Sequence, residues 1–181
     1  MKIETIEISG VASALRALRL PFGREPRSIC KSYAKADITT DYRYFESQST
    51  CLINKDDYAL LERLIKAGDE HAKVMRGIIV WAEITAPIYV WSELETYVVG
   101  HQRLCSESTM HIDCKGLVGE ELQRAKASIP MGRELTKIDY FSYQCLSRIY
   151  RQRKNHRLPE WREFCAWIEK LPFARELIIC D

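Results

Sequence analysis

The sequence predicts a helix-rich α/β or α+β fold. Several segments repeat apolar residues at helical spacing. The run Ile78–Ile84 is dense in β-formers, and Ile3–Ile8 alternates apolar and polar residues. The chain has 181 residues, 46% hydrophobic and 29% charged. That suits one domain, residues 1–181, with a substantial core.

Taken in order, Ile3, Ile6 and Ile8 mark a short strand. Ser9 caps a helix with Val11, Ala14, Leu15 and Leu18 on one face, and Pro21 stops it. Residues 22 to 53 are rich in turn formers and aromatics. They read as a long, partly irregular connection with room for a short strand, and loops of that length are often functional. Asn54 and Asp57 cap a helix carrying Tyr58, Leu61, Leu64 and Ile65, which Gly68 closes. Asp69–Arg76 reads as one further helical passage, and Ile78–Ile84 as a buried strand. Pro87 opens a helix that turns Ile88, Trp91, Leu94, Tyr97 and Val98 inward. Leu117–Ala127 is a short helix. Ile138–Arg153 is a longer one, with Phe141, Cys145, Leu146 and Ile149 on its apolar face. Pro159 opens the last helix, burying Trp161, Phe164, Cys165, Ile168 and Leu171, and Leu177–Ile179 reads as a closing strand.

The net charge of +2 argues against a nucleic-acid binder while allowing a local anion site. Seven scattered cysteines with no C-x-x-C pair support neither a zinc site nor a disulfide framework. Met1–Thr5 lacks the apolar core of a signal peptide, and no apolar stretch approaches a membrane span. The chain therefore reads as cytoplasmic, with no metal expected. No glycine-rich phosphate loop occurs.

Chemistry concentrates in the run Tyr97–His111, which holds His101, Arg103, Cys105, Ser106, Glu107, Ser108, Thr109 and His111. A polar loop positioned by a rigid element suits a small-molecule site. A second concentration is Arg148, Arg151, Arg153, Lys154, His156 and Arg157. Cations at a helix carboxyl end are mostly solvated and favour the dipole, yet one turned inward holds a phosphate bidentately. His71, His101 and His111 are each, by default, structural hydrogen-bonding residues. Cys105 and Ser108 have no base fixed beside them by sequence alone.

The order Gly68-Asp-Glu-His71, apolar strand, apolar helix, then Ser108-Thr-Met-His111, resembles the flavin-dependent thymidylate synthases. In that family a G-(H)-x-x-x-x-E-H segment precedes a strand, and a helix leads into R-H-R-x-x-S-x-N-E-x-S-x-R-Y. A later helix carries N-x-R-S-L-x-x-F-x-x-L-R, which Ser142–Arg153 matches at Leu146 and Arg153. The stretches T-Y-x-V-G, S-T-M-H and N-H-x-L-P-E-W are similar to phage and bacterial relatives. The resemblance implies a central, mostly antiparallel sheet flanked by helices, and a homotetramer with sites between subunits. It also implies a pyrimidine nucleotide as ligand, with FAD, and with a reduced folate where the chain is catalytic. Arg153 would hold the phosphate and Ser108 the base or phosphate, with Gln144 and Arg103 beside the nucleotide. His71, His101 and Arg76 would face the cofactor. Setting Ser108 on the second signature serine puts Val98, Val99 and Gly100 where R-H-R stands, which predicts weak FAD binding or none. Three functions remain open: a pyrimidine nucleotide-modifying, methyl- or hydroxymethyl-transferring enzyme, a non-catalytic nucleotide-binding protein without flavin, and a structural homo-oligomer.

Overall fold

The structure is a computed structural model that describes residues 1–25, 29–31, 42–45 and 50–180. Its centre is an antiparallel sheet in the order β1-β5-β7-β6, made of β1 (Lys2–Ser9), β5 (Ile79–Pro87), β7 (Glu134–Ser142) and β6 (His101–Ser106). A second antiparallel sheet runs β2-β4-β3, from β2 (Ile29–Lys31), β3 (Tyr42–Phe45) and β4 (Thr50–Asn54). The helices are α1 (Val11–Arg19), α2 (Lys55–Lys66), α3 (Ile88–Leu94), α4 (Gly119–Ala127), α5 (Tyr143–Arg153) and α6 (Pro159–Ile168). The α+β class with a mostly antiparallel sheet is thus the observed one. Among the described residues no helix is long and apolar enough to cross a membrane.

One face of the two inner strands is buried along its length. Val80, Ala82, Ile84 and Ala86 of β5 lie on it beside Leu135, Lys137, Asp139 and Phe141 of β7. α6 packs aromatic edges against that face, with Phe164 5.8 Å from the Phe141 ring and 5.8 Å from Trp161. The opposite face is half-buried and carries its own cross-strand pairs. Trp81 tilts against Tyr140 at 5.0 Å, and Thr85 bonds Thr136 at 2.9 Å.

Several sequence expectations change here. α1 is capped by Gly10 rather than Ser9, because Gly10 sits at φ +82°. Its position would drive a Cβ into the Gly77 carbonyl oxygen. Within residues 22–53 there are three strands where a partly irregular connection with room for one short strand was expected, and residues 26–28, 32–41 and 46–49 of that segment lie outside the described residues. The passage Asp69–Arg76 narrows to a 3-10 turn at Lys73–Arg76. α3 ends at Leu94, where Thr96 Oγ1 bonds the Glu93 carbonyl, so Val98 is exposed. The expected helix from Ile138 starts only at Tyr143, because residues 134–142 form β7. Two of the four buried β7 positions named above are charged, so the period-2 pattern is invisible to a hydrophobic count. Leu177–Ile179 is a turn of π-helix, not a strand. All three side chains are buried, which mimics a buried strand in sequence.

The close approach at Gly10 gives a test. Gly68 also has positive φ (+108°), but nothing lies within 4 Å of its missing side chain. Gly68→Ala should cost about 1–2 kcal/mol from backbone strain alone. Gly10→Ala should cost clearly more, because the backbone of Gly77 must shift as well. Urea denaturation of both variants measures the difference.

Candidate functional site

Polar side chains converge in three places. The first is a cleft of about 400 Å3 between the end of α2, the start of α5 and the π turn. α5 starts where Ser142 Oγ caps it by accepting from Cys145 N at 3.1 Å. Gln144, Ser147 and Arg151 then share one helical face and line the cleft. The Gln144 amide is fixed from both sides. Arg76 Nε donates to its Oε1 at 2.8 Å, and its Nε2 donates to the Asp69 carbonyl at 3.0 Å. Arg151 donates to Asp69 Oδ1 at 3.2 Å and Lys66 to Glu62 at 2.9 Å, both on the exposed rim. Met75, Leu177 and Ile179 supply apolar wall. His71 is exposed nearby in sequence, its backbone N–H donating to the Gly68 carbonyl.

The second place is the junction of β6 and β7. Asp139 has no exposure to water, and its Oδ2 lies 2.6 Å from His101 Nε2. The His101 ring stacks on Phe141 at 4.5 Å. Asp139 Oδ1 has no hydrogen-bond partner in the structure. Beside it, buried Lys137 donates to Glu95 at 2.6 Å and stands 4.3 Å over the Trp91 ring. Arg103 donates to the same Glu95 oxygen at 2.8 Å. Burial alone would raise the Glu95 carboxyl, but Lys137, Arg103 and His101 outweigh it and hold the carboxyl below its ordinary value. Glu95, Val98, His101, Gln102 and Arg103 line a shallow hollow of about 380 Å3.

The third place is the end of α5. Arg153 donates to Tyr97 Oη at 2.8 Å and to Glu93 Oε2 at 2.9 Å, and its guanidinium lies 4.4 Å over Trp161. Trp161 Nε1 donates to the same Glu93 oxygen. This guanidinium is therefore already committed on its faces and its edge. Arg148 bonds the Val99 carbonyl, and its Nε is buried without a partner.

The structure thus brings Gln144 and Arg76 together, and separates them from the His101–Arg103 group and from Arg153. Ser108 joins none of these. It lies in a turn after β6, where its carbonyl accepts from the N–H groups of His111 and Ile112. The polar run is accordingly part strand and part turn rather than one loop. Burial raises the Cys145 thiol to about 11, which removes it as a nucleophile at neutral pH. Among the described residues no three His, Cys, Asp or Glu side chains group closely enough to hold a metal ion.

Asp139, Glu95 and Asp69 were missed in sequence. An acid flanked by Ile138 and Tyr140 was the available signal for Asp139, since buried charge is kept only with a partner. β6 also offers a second register for the signature. Shifted three residues onward, R-H-R-x-x-S falls on His101–Ser106, with Arg103 and Ser106 matched and the whole stretch on one strand.

No known family model matches the chain, and no curated protein matches it in sequence. Among solved structures, a flavin-dependent thymidylate synthase ThyX from Helicobacter pylori complexed with FAD and dUMP is similar over 99% of this chain and 98% of that one, at a TM-score of 0.68 and 12% identity. A second structure of the Helicobacter pylori ThyX with FAD and dUMP gives the same score and identity over 99% of each chain. The chain therefore has the fold of the flavin-dependent thymidylate synthases, with its sequence far diverged.

The buried pair at β6 and β7 generates a prediction. Asp139→Ala should destabilise the protein by about 3–5 kcal/mol, since it leaves His101 buried without its partner. The double variant His101→Phe with Asp139→Leu should cost less than the sum of its single changes. Denaturant unfolding of the four proteins completes the cycle, and strict additivity would show the two groups to be uncoupled.

Proposed function

We propose that the chain binds a pyrimidine nucleoside monophosphate in the cleft at Gln144. The observation that carries this reading is the fixed Gln144 amide. With one N–H and one lone pair already used, it keeps one donor and one acceptor. A pyrimidine presents a matching acceptor–donor edge, whether the imide of uracil or the amidine edge of cytosine. The apolar wall at Met75 and Leu177 offers the ring a dry surface, and Arg151 and Lys66 stand where a phosphate would leave the cleft. Their present partners are exposed carboxylates, which hold them weakly and can be exchanged for a phosphate. The solved structures of the same fold, which contain dUMP, support the same ligand class.

FAD, when bound, supplies redox chemistry at its flavin ring. The residues assigned to it do not form one site within a protomer. Arg76 is held by Gln144 and His101 by Asp139, and among the described residues neither hydrogen-bonds the His71 side chain. Flavin binding by this chain would need groups from a second subunit. We take the protein as a nucleotide binder first, and as a pyrimidine-modifying enzyme only if flavin or folate is bound in the assembly.

The reading includes a homo-oligomer. Val98, Val99, Leu104 and Val118 are all more than 60% exposed, and α4 has no buried residue. A nine-residue helix without a buried face is marginal by itself. Light scattering at micromolar concentration should give a mass above that of one chain, and a monomer would remove any shared site.

Calorimetry with dUMP tests the cleft. Arg151→Ala should weaken binding by about tenfold to a hundredfold, the worth of a charge-assisted hydrogen bond. Gln144→Met should lower the preference for a pyrimidine over a purine monophosphate. Arg153→Ala should lower stability more than affinity. If Arg153→Ala abolishes binding in a folded protein while Arg151→Ala does not, the phosphate lies at the end of α5 instead.

A further inference from the structure

A second cleft, of about 480 Å3, opens on another face of α2 and carries three arginines from three separate segments: Arg19 of α1, Arg24 after it, and Arg63 of α2. Arg19 is built into place. Its Nε donates at 2.6 Å to Asp57, a carboxylate with no exposure, which leaves both terminal nitrogens for the cleft that it lines. Among the described residues, the Arg24 and Arg63 guanidiniums make no hydrogen bond or ion pair. Glu25 and Asp56 share the rim, so the cleft is not a broad cationic surface. Asp56 is itself engaged by another partner. What the cleft offers is directed donors, one fork of them immobilised by a buried carboxylate.

We infer that this cleft binds a diphosphate-bearing anion. Guanidinium forks match phosphoryl oxygens in pairs. One phosphoryl group can accept three forks only if all three guanidiniums converge on a single phosphorus, whereas two linked phosphoryl groups accept forks that approach from three separate segments, as they do here. Ala59 and Leu60 provide an apolar floor on the α2 side. This site shares no lining residue with the cleft at Gln144, so it stands whether or not the pyrimidine reading holds.

The test is calorimetry on the full chain with inorganic pyrophosphate and, separately, with ADP. The expected result is saturable binding of pyrophosphate that Arg63→Ala and Arg24→Ala each weaken by about tenfold or more. Arg16→Ala, on α1 but outside the cleft, and Arg151→Ala, in the other cleft, should leave it unchanged. Equal affinity for the two probes assigns the site to the diphosphate moiety alone, and tighter binding of ADP assigns it to a nucleoside diphosphate. No saturable heat with either probe, binding untouched in the Arg24→Ala, Arg63→Ala double variant, or binding lost in Arg151→Ala would each overturn the inference. The last outcome would place the anion in the pyrimidine cleft, and a failure of dUMP to bind would leave this result unaffected.

Discussion

A carboxylate without access to water sits in the middle of the central sheet. Asp139 on β7 is tolerable there only because His101 reaches it from β6. That single demand explains why the most polar stretch of the chain is drawn into the sheet as an edge strand, although most of β6 beyond His101 is exposed. Once β6 is fixed, Gly100 is pressed against Ser142 and Cys145, where no side chain fits. Ser142 in turn caps α5, and α5 sets Gln144 at the mouth of its cleft. The chain of constraint runs from a buried charge to a helix start to a cleft-lining amide.

Where apolar periodicity and burial coincide, the elements were readable. α1, α2 and α6 follow their stripes, and Pro159 and Asn54 mark starts that the structure keeps. β7 failed for a physical reason. A strand whose buried face reads Leu, Lys, Asp, Phe hides its period, and the charges are explained only by partners from elsewhere in the sequence. The π turn failed for the opposite reason. Its last three side chains are buried in succession, and consecutive burial looks the same in a strand and in a helix wedged between Phe173 and Cys180, both left-handed.

The candidate site was legible in part. Gln144 came from the family resemblance, and the structure sets it in a cleft with its amide locked by Arg76 and the Asp69 carbonyl. Arg153 and Arg151 are two residues apart and so point in different directions from the helix. One stacks on Trp161 and the other reaches the cleft, a difference fixed by Glu93 and Asp69, which no local pattern connects to α5. Sequence reasoning ranks cations by neighbourhood along the chain, whereas their availability depends on which carboxylates arrive from a distance.

Arg19 with Asp57, Lys137 with Glu95, and His101 with Asp139 are all pairs with at least one member buried, and each spans a long stretch of chain. Losing one partner strands the other in a medium that does not solvate it, a loss comparable to a large share of a typical stability margin. Drift can therefore cross these positions only by paired replacement. A lineage would inherit or abandon each couple as a unit, so partners far apart in the chain should carry a shared history even where the rest of the sequence drifts.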